Sequence, residues 1–176
     1  MGSVSVIVME TSLGTIEIAL FQDKSPLTVS NFLQYVDDGF YDGTIFHRVV
    51  KDFIVQGGGF TPDFSLKKTK EAIKNEAKNG LKNKRGRIAM ARTGIIDSAT
   101  SQFFINLKDN SMLDHKDESA NGYGYAVFGQ VIKGMEVVDQ IGSMETGERF
   151  MDPENKRGLY HDVPLNTITI KSITRK

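Results

Sequence analysis

Three features that the 176-residue sequence lacks limit what the protein can do. It has no cysteine, which excludes disulfide bonds, thiol catalysis and cysteine-rich metal sites. Its formal net charge at pH 7 is zero, so no overall field attracts nucleic acid or an anionic membrane. No apolar run approaches the roughly 20 residues that a membrane-spanning helix needs. We therefore expect a protein that binds neither nucleic acids nor membranes.

The length of the chain fits a single domain that covers residues 1–176. A chain of this size buries roughly 70% of the surface of its unfolded state, which is enough for a sizeable core. No internal repeat or linker divides the sequence, and nothing in it requires more than a monomer. The histidines at positions 47, 115 and 161 lie singly, so we expect neither a metal site nor an organic cofactor.

The N-terminal residues bear on the cellular location. Residues 1–12 contain no basic segment followed by a long apolar run, as a secretory signal would. The sequence as given therefore predicts a cytoplasmic protein. A periplasmic location stays open as the alternative, because Gly2 and Ser3 could remain from cloning after removal of a signal peptide.

The hydrophobic pattern predicts many short strands and few helices. Residues 4–9 and 15–21 are rich in β-branched side chains and are separated by a turn with Gly14, which predicts a hairpin. Ser25 and Pro26 indicate the start of a helix that ends at Gly39. Further strands are predicted at 45–50, 53–56, 87–91, 102–106, 126–131 and 167–174, with a second helix at 135–141 and irregular chain at 61–84 and 146–164.

These elements predict a mainly β fold. Eight short strands with only two helices favour a closed eight-stranded antiparallel β-barrel, because closure removes the unpaired strand edges. Periodicity alone does not distinguish a barrel from a sandwich.

Residues 41–58 hold the most informative motif, YDGTIFHRVVKDFIVQGG. Alternation along a strand predicts that Phe46 and Arg48 share one face, and that Ile54 and Gln56 share a face of the next strand. A cation would then lie beside an apolar surface that includes Phe53. Such a surface suits a hydrophobic substrate with one weakly basic atom, and a prolyl peptide fits that description.

Four ordered motifs carry a resemblance to a known family. The first is the spacing of Tyr41, Thr44, Phe46, His47, Arg48, Phe53, Gln56, Gly57 and Gly58. The others are GRIAMA at 86–91, SQFFIN at 101–106 and YAVFG at 125–129. Together they resemble the cyclophilin family of peptidyl-prolyl isomerases over nearly the whole chain. The SQFFIN motif and the DNSMLDH run at 109–115 look most like bacterial members.

The resemblance implies a cofactor-free isomerase of proline-containing peptides and unfolded proteins, with the two helices at the ends of the barrel. It implies that the catalytic residues are Arg48, Phe53 and Gln56. It also implies substrate-binding residues. Ile54, Phe104 and Leu113 would form a proline pocket together with Phe53, and Met112 and Tyr125 would lie at its rim. Gln102 and the backbone of Ala91 and Arg92 would bind the substrate backbone. His47 is expected to face away from Arg48 and to form a hydrogen bond within the scaffold.

Three positions depart from the best-known eukaryotic pattern. Met112 stands where those members often carry tryptophan, Tyr125 where they carry histidine, and Arg92 where they carry asparagine. The first two changes keep an apolar rim but remove an indole N–H and an imidazole. We therefore expect isomerase activity with weakened binding of cyclosporin, the macrocyclic inhibitor of the family. Arg92 is expected to bring a further positive charge to the groove and to alter sequence preference.

Other functions are less consistent with the sequence. The same pocket could serve a proline-peptide binding module or a holdase chaperone, but such a protein would not need Arg48 and Gln56 beside the pocket. The lysine-rich segment 67–87 could contact nucleic acid, yet it has few interleaved aromatic residues. A serine hydrolase is disfavoured because no GxSxG motif occurs.

Overall fold

Ten β-strands and two α-helices make up the fold in the computed structural model, which describes residues 4–176. The strands are β1 Val6–Thr11, β2 Gly14–Leu20, β3 Arg48–Val50, β4 Ile54–Gly57, β5 Arg87–Met90, β6 Phe103–Asn106, β7 Val127–Lys133, β8 Thr146–Asp152, β9 Arg157–Pro164 and β10 Ile170–Arg175. The helices are α1 Pro26–Asp37 and α2 Met135–Gly142. Gly2 and Ser3, on which the periplasmic alternative depended, lie outside the described residues.

Eight strands form one antiparallel sheet in the order β10-β1-β2-β7-β5-β6-β4-β3, and β8 and β9 form a separate hairpin. The mainly β prediction with two helices is confirmed, but the predicted closed barrel is wrong. The sheet curls through about 225° and is a half-barrel with edge strands β10 and β3. Between these edges the described residues form one isolated bridge, Ile45 to Thr169, instead of a ladder.

The opening has a local cause in the chain that leads into β3. The amide of Phe46 donates to the Ile168 carbonyl oxygen at 3.0 Å, and the amide of Ile170 donates to that of Thr44 at 2.7 Å. Thr44 and Phe46 precede β3, whereas Ile170 is the first residue of β10. β3 itself is three residues long, so the two edges touch at one point and do not continue as a pair.

The main core lies on one face of the curled sheet, where both helices pack. Phe32 of α1 contacts the rings of Tyr41, Phe103 and Phe128 at centroid distances of 5.1 to 5.9 Å. α2 contributes Val138 and other apolar side chains to the same cluster. A cluster of this kind is the main stabilising feature of the fold, because burial of apolar surface drives folding.

The start of α1 follows the sequence prediction in position but not in chemistry. Ser25 is the N-cap residue, yet its hydroxyl donates to the Val127 carbonyl oxygen at 2.6 Å and does not cap the helix. The carboxylate of Glu76 instead accepts from the amides of Leu27 and Thr28. A distant acid therefore satisfies donors that a local serine was expected to satisfy, and it is also favourably placed against the helix dipole.

The hairpin β8–β9 occupies a segment that was predicted to be irregular. Most of its side chains are exposed or half-buried, and Val163 is among its few buried residues. The segment therefore lacks the apolar alternation by which a strand is recognised in a sequence. No α-helix within residues 4–176 is both long and apolar enough to cross a membrane.

Candidate active site

A row of paired residues crosses four strands on the face opposite the main core. Arg48 of β3 is opposite Gln56 of β4, Gln56 is opposite Phe104 of β6, and Phe104 is opposite Ala89 of β5. Their neighbours along the same strands belong to the main core. Because successive side chains of a strand alternate between faces, the row places an arginine and a glutamine beside an apolar floor.

Phe46 does not share this face with Arg48, contrary to the sequence prediction. Its ring packs in the main core, 6.2 Å from that of Phe103. The strand begins only at Arg48, so the alternation rule does not extend back to Phe46.

The floor belongs to a second apolar cluster, separate from the main core. Ile54, Ala89, Phe104 and Val127 are buried in it, and Phe53, Ala91, Leu113 and Tyr125 pack partly buried against it. The rings of Phe104 and Tyr125 meet edge to face at 5.6 Å. Above this floor lies a cavity of about 400 Å³.

All but one of the predicted site residues line this cavity. They are Arg48, Phe53, Ile54, Gln56, Ala91, Arg92, Gln102, Phe104, Leu113 and Tyr125. The exception is Met112, which is 59% exposed on a short 3-10 turn and lies outside the lining. Four residues that the sequence analysis did not assign to the site also line it, namely His47, Phe60, Leu66 and Tyr160.

A chain of side-chain hydrogen bonds connects the polar residues. Arg48 donates through Nη1 to Gln56 Oε1 at 3.2 Å, and Gln56 donates through Nε2 to Gln102 Oε1 at 3.1 Å. Among the described residues Arg48 has no carboxylate partner, so the bond to Gln56 leaves most of its N–H groups free. Gly59 makes room for Gln102, because a Cβ at that position would lie 2.6 Å from Gln102 Cγ.

His47 is buried, with 3% of its surface exposed, so its ring lies largely within the scaffold although it borders the cavity, and among the described residues its Nδ1 does not form the predicted hydrogen bond. Its ring packs 4.5 Å from that of Phe60, and its buried Nδ1 has no hydrogen-bond partner within residues 4–176. Burial first, and then the charge of Arg48, lower the pKa of His47 from 6.5 to about 4. The imidazole is therefore neutral at physiological pH and lies as an uncharged group beside Arg48.

The side chain of Arg92 is directed at a neighbouring loop. Its Nε donates to the Gly124 carbonyl oxygen at 2.9 Å, and its Nη2 donates to that of Ala120 at 2.7 Å. The guanidinium also lies over the ring of Tyr125, 4.9 Å from the centroid. Arg92 thus holds the loop and Tyr125 in place, and much of its hydrogen-bonding capacity is used inside the protein.

Behind the apolar floor, three asparagines hold the backbone of two pocket residues. Asn110 donates to the Phe53 carbonyl oxygen at 2.9 Å, and Asn83 donates to that of Leu113 at 3.1 Å. Asn106 joins the two, since it donates to Asn83 Oδ1 at 3.1 Å and accepts from Asn110 at 2.9 Å. Sequence reasoning missed this network; its one visible signal is an asparagine at the end of an otherwise apolar strand.

Comparison with known proteins identifies the family. A family model described as cyclophilin type peptidyl-prolyl cis-trans isomerase/CLD matches residues 6–175. The chain therefore belongs to the cyclophilin-type peptidyl-prolyl cis-trans isomerases, and the family and enzyme class predicted from the motifs are confirmed.

The relatives include bacterial proteins of similar length. Peptidyl-prolyl cis-trans isomerase B of Escherichia coli strain K12 is 50% identical over 169 residues, covering 96% of this chain and 98% of that protein. Peptidyl-prolyl cis-trans isomerase A of Dickeya dadantii is 53% identical over 166 residues, covering 94% and 82%. The crystal structure of a Cryptosporidium parvum cyclophilin-type isomerase in the presence of the dipeptide Ala-Pro superimposes with a TM-score of 0.76 at 25% identity, covering 97% and 98%.

Proposed function

We propose that this isomerase interconverts the cis and trans forms of X-Pro bonds with Arg48 as a donor to the prolyl nitrogen and the Phe104 floor as the proline pocket. The observation that carries the proposal is the position of Arg48. Its guanidinium is bonded to Gln56, has no acidic partner in the described part of the chain, and borders the apolar cavity. The substrates would be proline-containing peptides and unfolded proteins.

The chemistry to be accelerated is rotation about an amide bond. The barrier is about 18–20 kcal/mol, because the nitrogen shares its lone pair with the carbonyl group. In the twisted transition state the prolyl nitrogen becomes pyramidal and recovers that lone pair. A donor aimed at the nitrogen then binds it more strongly than in either planar isomer, and only such a differential interaction accelerates the step.

Arg48 suits this role because its charge does not depend on pH and its N–H groups have a fixed geometry. Each tenfold increase in rate requires about 1.4 kcal/mol. A hydrogen bond to a charged group contributes about 1.5–3 kcal/mol, so Arg48 would supply one or two powers of ten. Binding of the twisted substrate in the cavity would supply the remainder. The hydrogen bond that Arg48 donates to Gln56 would keep the guanidinium in position.

The backbone at the other side of the cavity would hold the residue before proline. The amide of Ala91 donates to the Gln102 carbonyl oxygen at 3.0 Å, whereas the amide of Arg92 has no partner within residues 4–176. The Arg92 amide and the Ala91 carbonyl are therefore our proposed contacts to the substrate. The structure of the Cryptosporidium parvum isomerase in the presence of Ala-Pro supports proline-peptide binding by this fold.

A protease-coupled isomerisation assay of Arg48→Ala and Arg48→Lys tests the donor role. We expect kcat/KM to fall about 10- to 100-fold in Arg48→Ala, with a substantial loss in Arg48→Lys, because an ammonium group cannot reproduce the planar fork. Arg157→Ala is the matched control, since this exposed arginine lies on β9 outside the cavity lining. If both Arg48 variants fold and turn over at the wild-type rate, Arg48 is not the donor.

A further inference from the structure

The cavity extends past Arg48, away from the proline floor. Its lining on that side consists of His47, Phe60, Leu66 and Tyr160, which come from three separate parts of the chain. At about 400 Å³ the cavity falls in the range of about 300–1,000 Å³ that is typical of pockets for ligands much larger than a proline ring. The proline floor therefore leaves part of this space unassigned.

Three rings form the wall of this extension, and we call His47, Phe60 and Tyr160 the aromatic wall. Phe60 lies 4.5 Å from His47 and 5.4 Å from Tyr160, centroid to centroid. His47 and Tyr160 meet edge to face at 6.4 Å. Phe64 stacks behind Phe60 at 4.8 Å and supports the wall from the interior.

The surface offered by the aromatic wall is apolar and uncharged. The His47 imidazole is neutral, but His47 is only 3% and Phe60 only 1% exposed, so these two rings form a buried base and the accessible surface here belongs to Tyr160 and Leu66. Leu66 is 57% exposed and lines the same cavity. It is paired with Phe60 in an isolated antiparallel β-bridge. An exposed leucine beside the partly exposed ring of Tyr160, at the edge of an active-site cavity, is a surface that a substrate side chain could cover.

We propose that Tyr160 and Leu66, backed by the buried rings of His47 and Phe60, form a second subsite, which binds an aromatic or branched apolar side chain of a residue flanking the proline. This inference rests on the proposed function, because the subsite is continuous with the proline cavity and shares Arg48 as its border. Tyr160 is the specificity-determining residue, since it is supplied by the β8–β9 hairpin and closes the subsite on its outer side.

The test compares kcat/KM for tetrapeptide substrates that carry Phe, Leu or Ala next to the prolyl residue, on its N-terminal or its C-terminal side. We expect wild type to prefer Phe or Leu over Ala at one of these positions. Tyr160→Ala should reduce that preference about 5- to 10-fold through a higher KM, with little change for the Ala peptides. Tyr160→Phe should keep the preference, because it keeps the aromatic ring that lines the cavity.

Two further variants separate specificity from folding. Leu159→Ala is the matched control, since Leu159 precedes Tyr160 on the same strand, is 40% exposed and does not line the cavity. Leu66→Ala changes an exposed residue, so it should fold normally and reduce the same preference even if Tyr160→Ala is unstable. A preference that survives both Tyr160→Ala and Leu66→Ala, or none in wild type, would overturn the subsite.

The outcome is independent of the catalytic role of Arg48. The measured quantity is the ratio of kcat/KM between two peptides that react through the same step. The contribution of Arg48 is the same for both peptides, so it cancels from this ratio. A wild-type rate in Arg48→Ala would refute the proposed mechanism and leave the ratio measurable. Conversely, an unchanged ratio in the Tyr160 and Leu66 variants would refute the subsite and leave the mechanism intact.

Discussion

The two sides of the cavity are built in different ways. On one side the backbone of Phe53 and Leu113 is fixed by Asn83, Asn106 and Asn110, and we call this set the hydrogen-bonded wall. On the other side the side chains of the aromatic wall are in contact through ring packing, and one of its members comes from a surface hairpin. Directional bonds fix a geometry closely, whereas packed rings tolerate exchange of one ring for another. The first wall suits the invariant part of the substrate, and the second suits its variable part.

The largest effect is expected from breaking the hydrogen-bonded wall at its centre. In Asn106→Ala, Asn83 Oδ1, the Arg87 carbonyl and one N–H of Asn110 each lose a partner. We expect the free energy of unfolding to fall by about 3–5 kcal/mol. Buried polar groups without hydrogen-bond partners have lost their hydration and gain no hydrogen bond in return. Denaturant titration measures this loss, and kcat/KM should fall as Phe53 and Leu113 shift.

The control for that change is Asn155→Ala, which removes an exposed asparagine of the β8–β9 turn that bonds only to Asp152 among the described residues. Its unfolding free energy should stay within about 0.5 kcal/mol of wild type. An Asn106→Ala protein as stable as this control would mean that the network adds nothing to the wall.

A smaller effect is expected from acid, and it concerns the aromatic wall. The pKa of His47 is about 4 in the folded protein, and its ordinary value is 6.5. Between these two pH values the unfolded chain binds a proton at this histidine that the folded chain does not bind. Stability from this group is complete above pH 6.5 and is lost as the pH falls toward 4, by up to about 3 kcal/mol.

The measurement is the unfolding free energy of wild type and His47→Gln between pH 7 and pH 4. The variant should lose less stability over this interval, because glutamine does not titrate. His161→Gln is the control, since His161 is largely exposed on the hairpin and pairs with Glu148. Equal pH dependence in wild type and His47→Gln would show that the imidazole is not buried in the neutral form.

The smallest effect is expected at the rim, beside the hydrogen-bonded wall. Met112 lies outside the cavity lining, and Met112→Trp would add a large apolar ring with an N–H donor there. We expect cyclosporin to bind about tenfold more tightly, which corresponds to about 1.4 kcal/mol. The chain has no other tryptophan, so indole fluorescence can follow the titration, and inhibition of the isomerase gives the same constant for wild type. An unchanged constant would disprove the role assigned to Met112.

Many residues of the proline pocket and its border could be predicted from the sequence. The motifs around Arg48, Phe104 and Leu113 lie on short apolar strands and turns, and local alternation largely fixes which face each side chain takes. The structure brings these residues together around one cavity. The asparagine network was not predicted, because three of its bonds join positions more than 20 residues apart and leave no periodic trace.

The aromatic side was missed for a different reason. Tyr160 lies on a strand with few buried residues, so neither its strand nor its place beside His47 could be inferred from periodicity. The closed barrel was predicted from the number of strands, whereas closure depends on the register of β3 against β10, which a strand count does not contain. The orientation of Arg92 was likewise set by loop carbonyls that are distant in sequence.

The position of β3 at one edge of the half-barrel has a consequence for how the enzyme meets its substrate. Within residues 4–176 its ladder neighbour is β4, and it also contacts β9 of the β8–β9 hairpin. An edge strand of three residues opens more readily than the strands at the centre, so its amide protons should exchange with deuterium sooner than those of β5 and β6. Arg48 is thus carried by a short edge strand of the sheet, and a peptide bound between the two walls would add to its support.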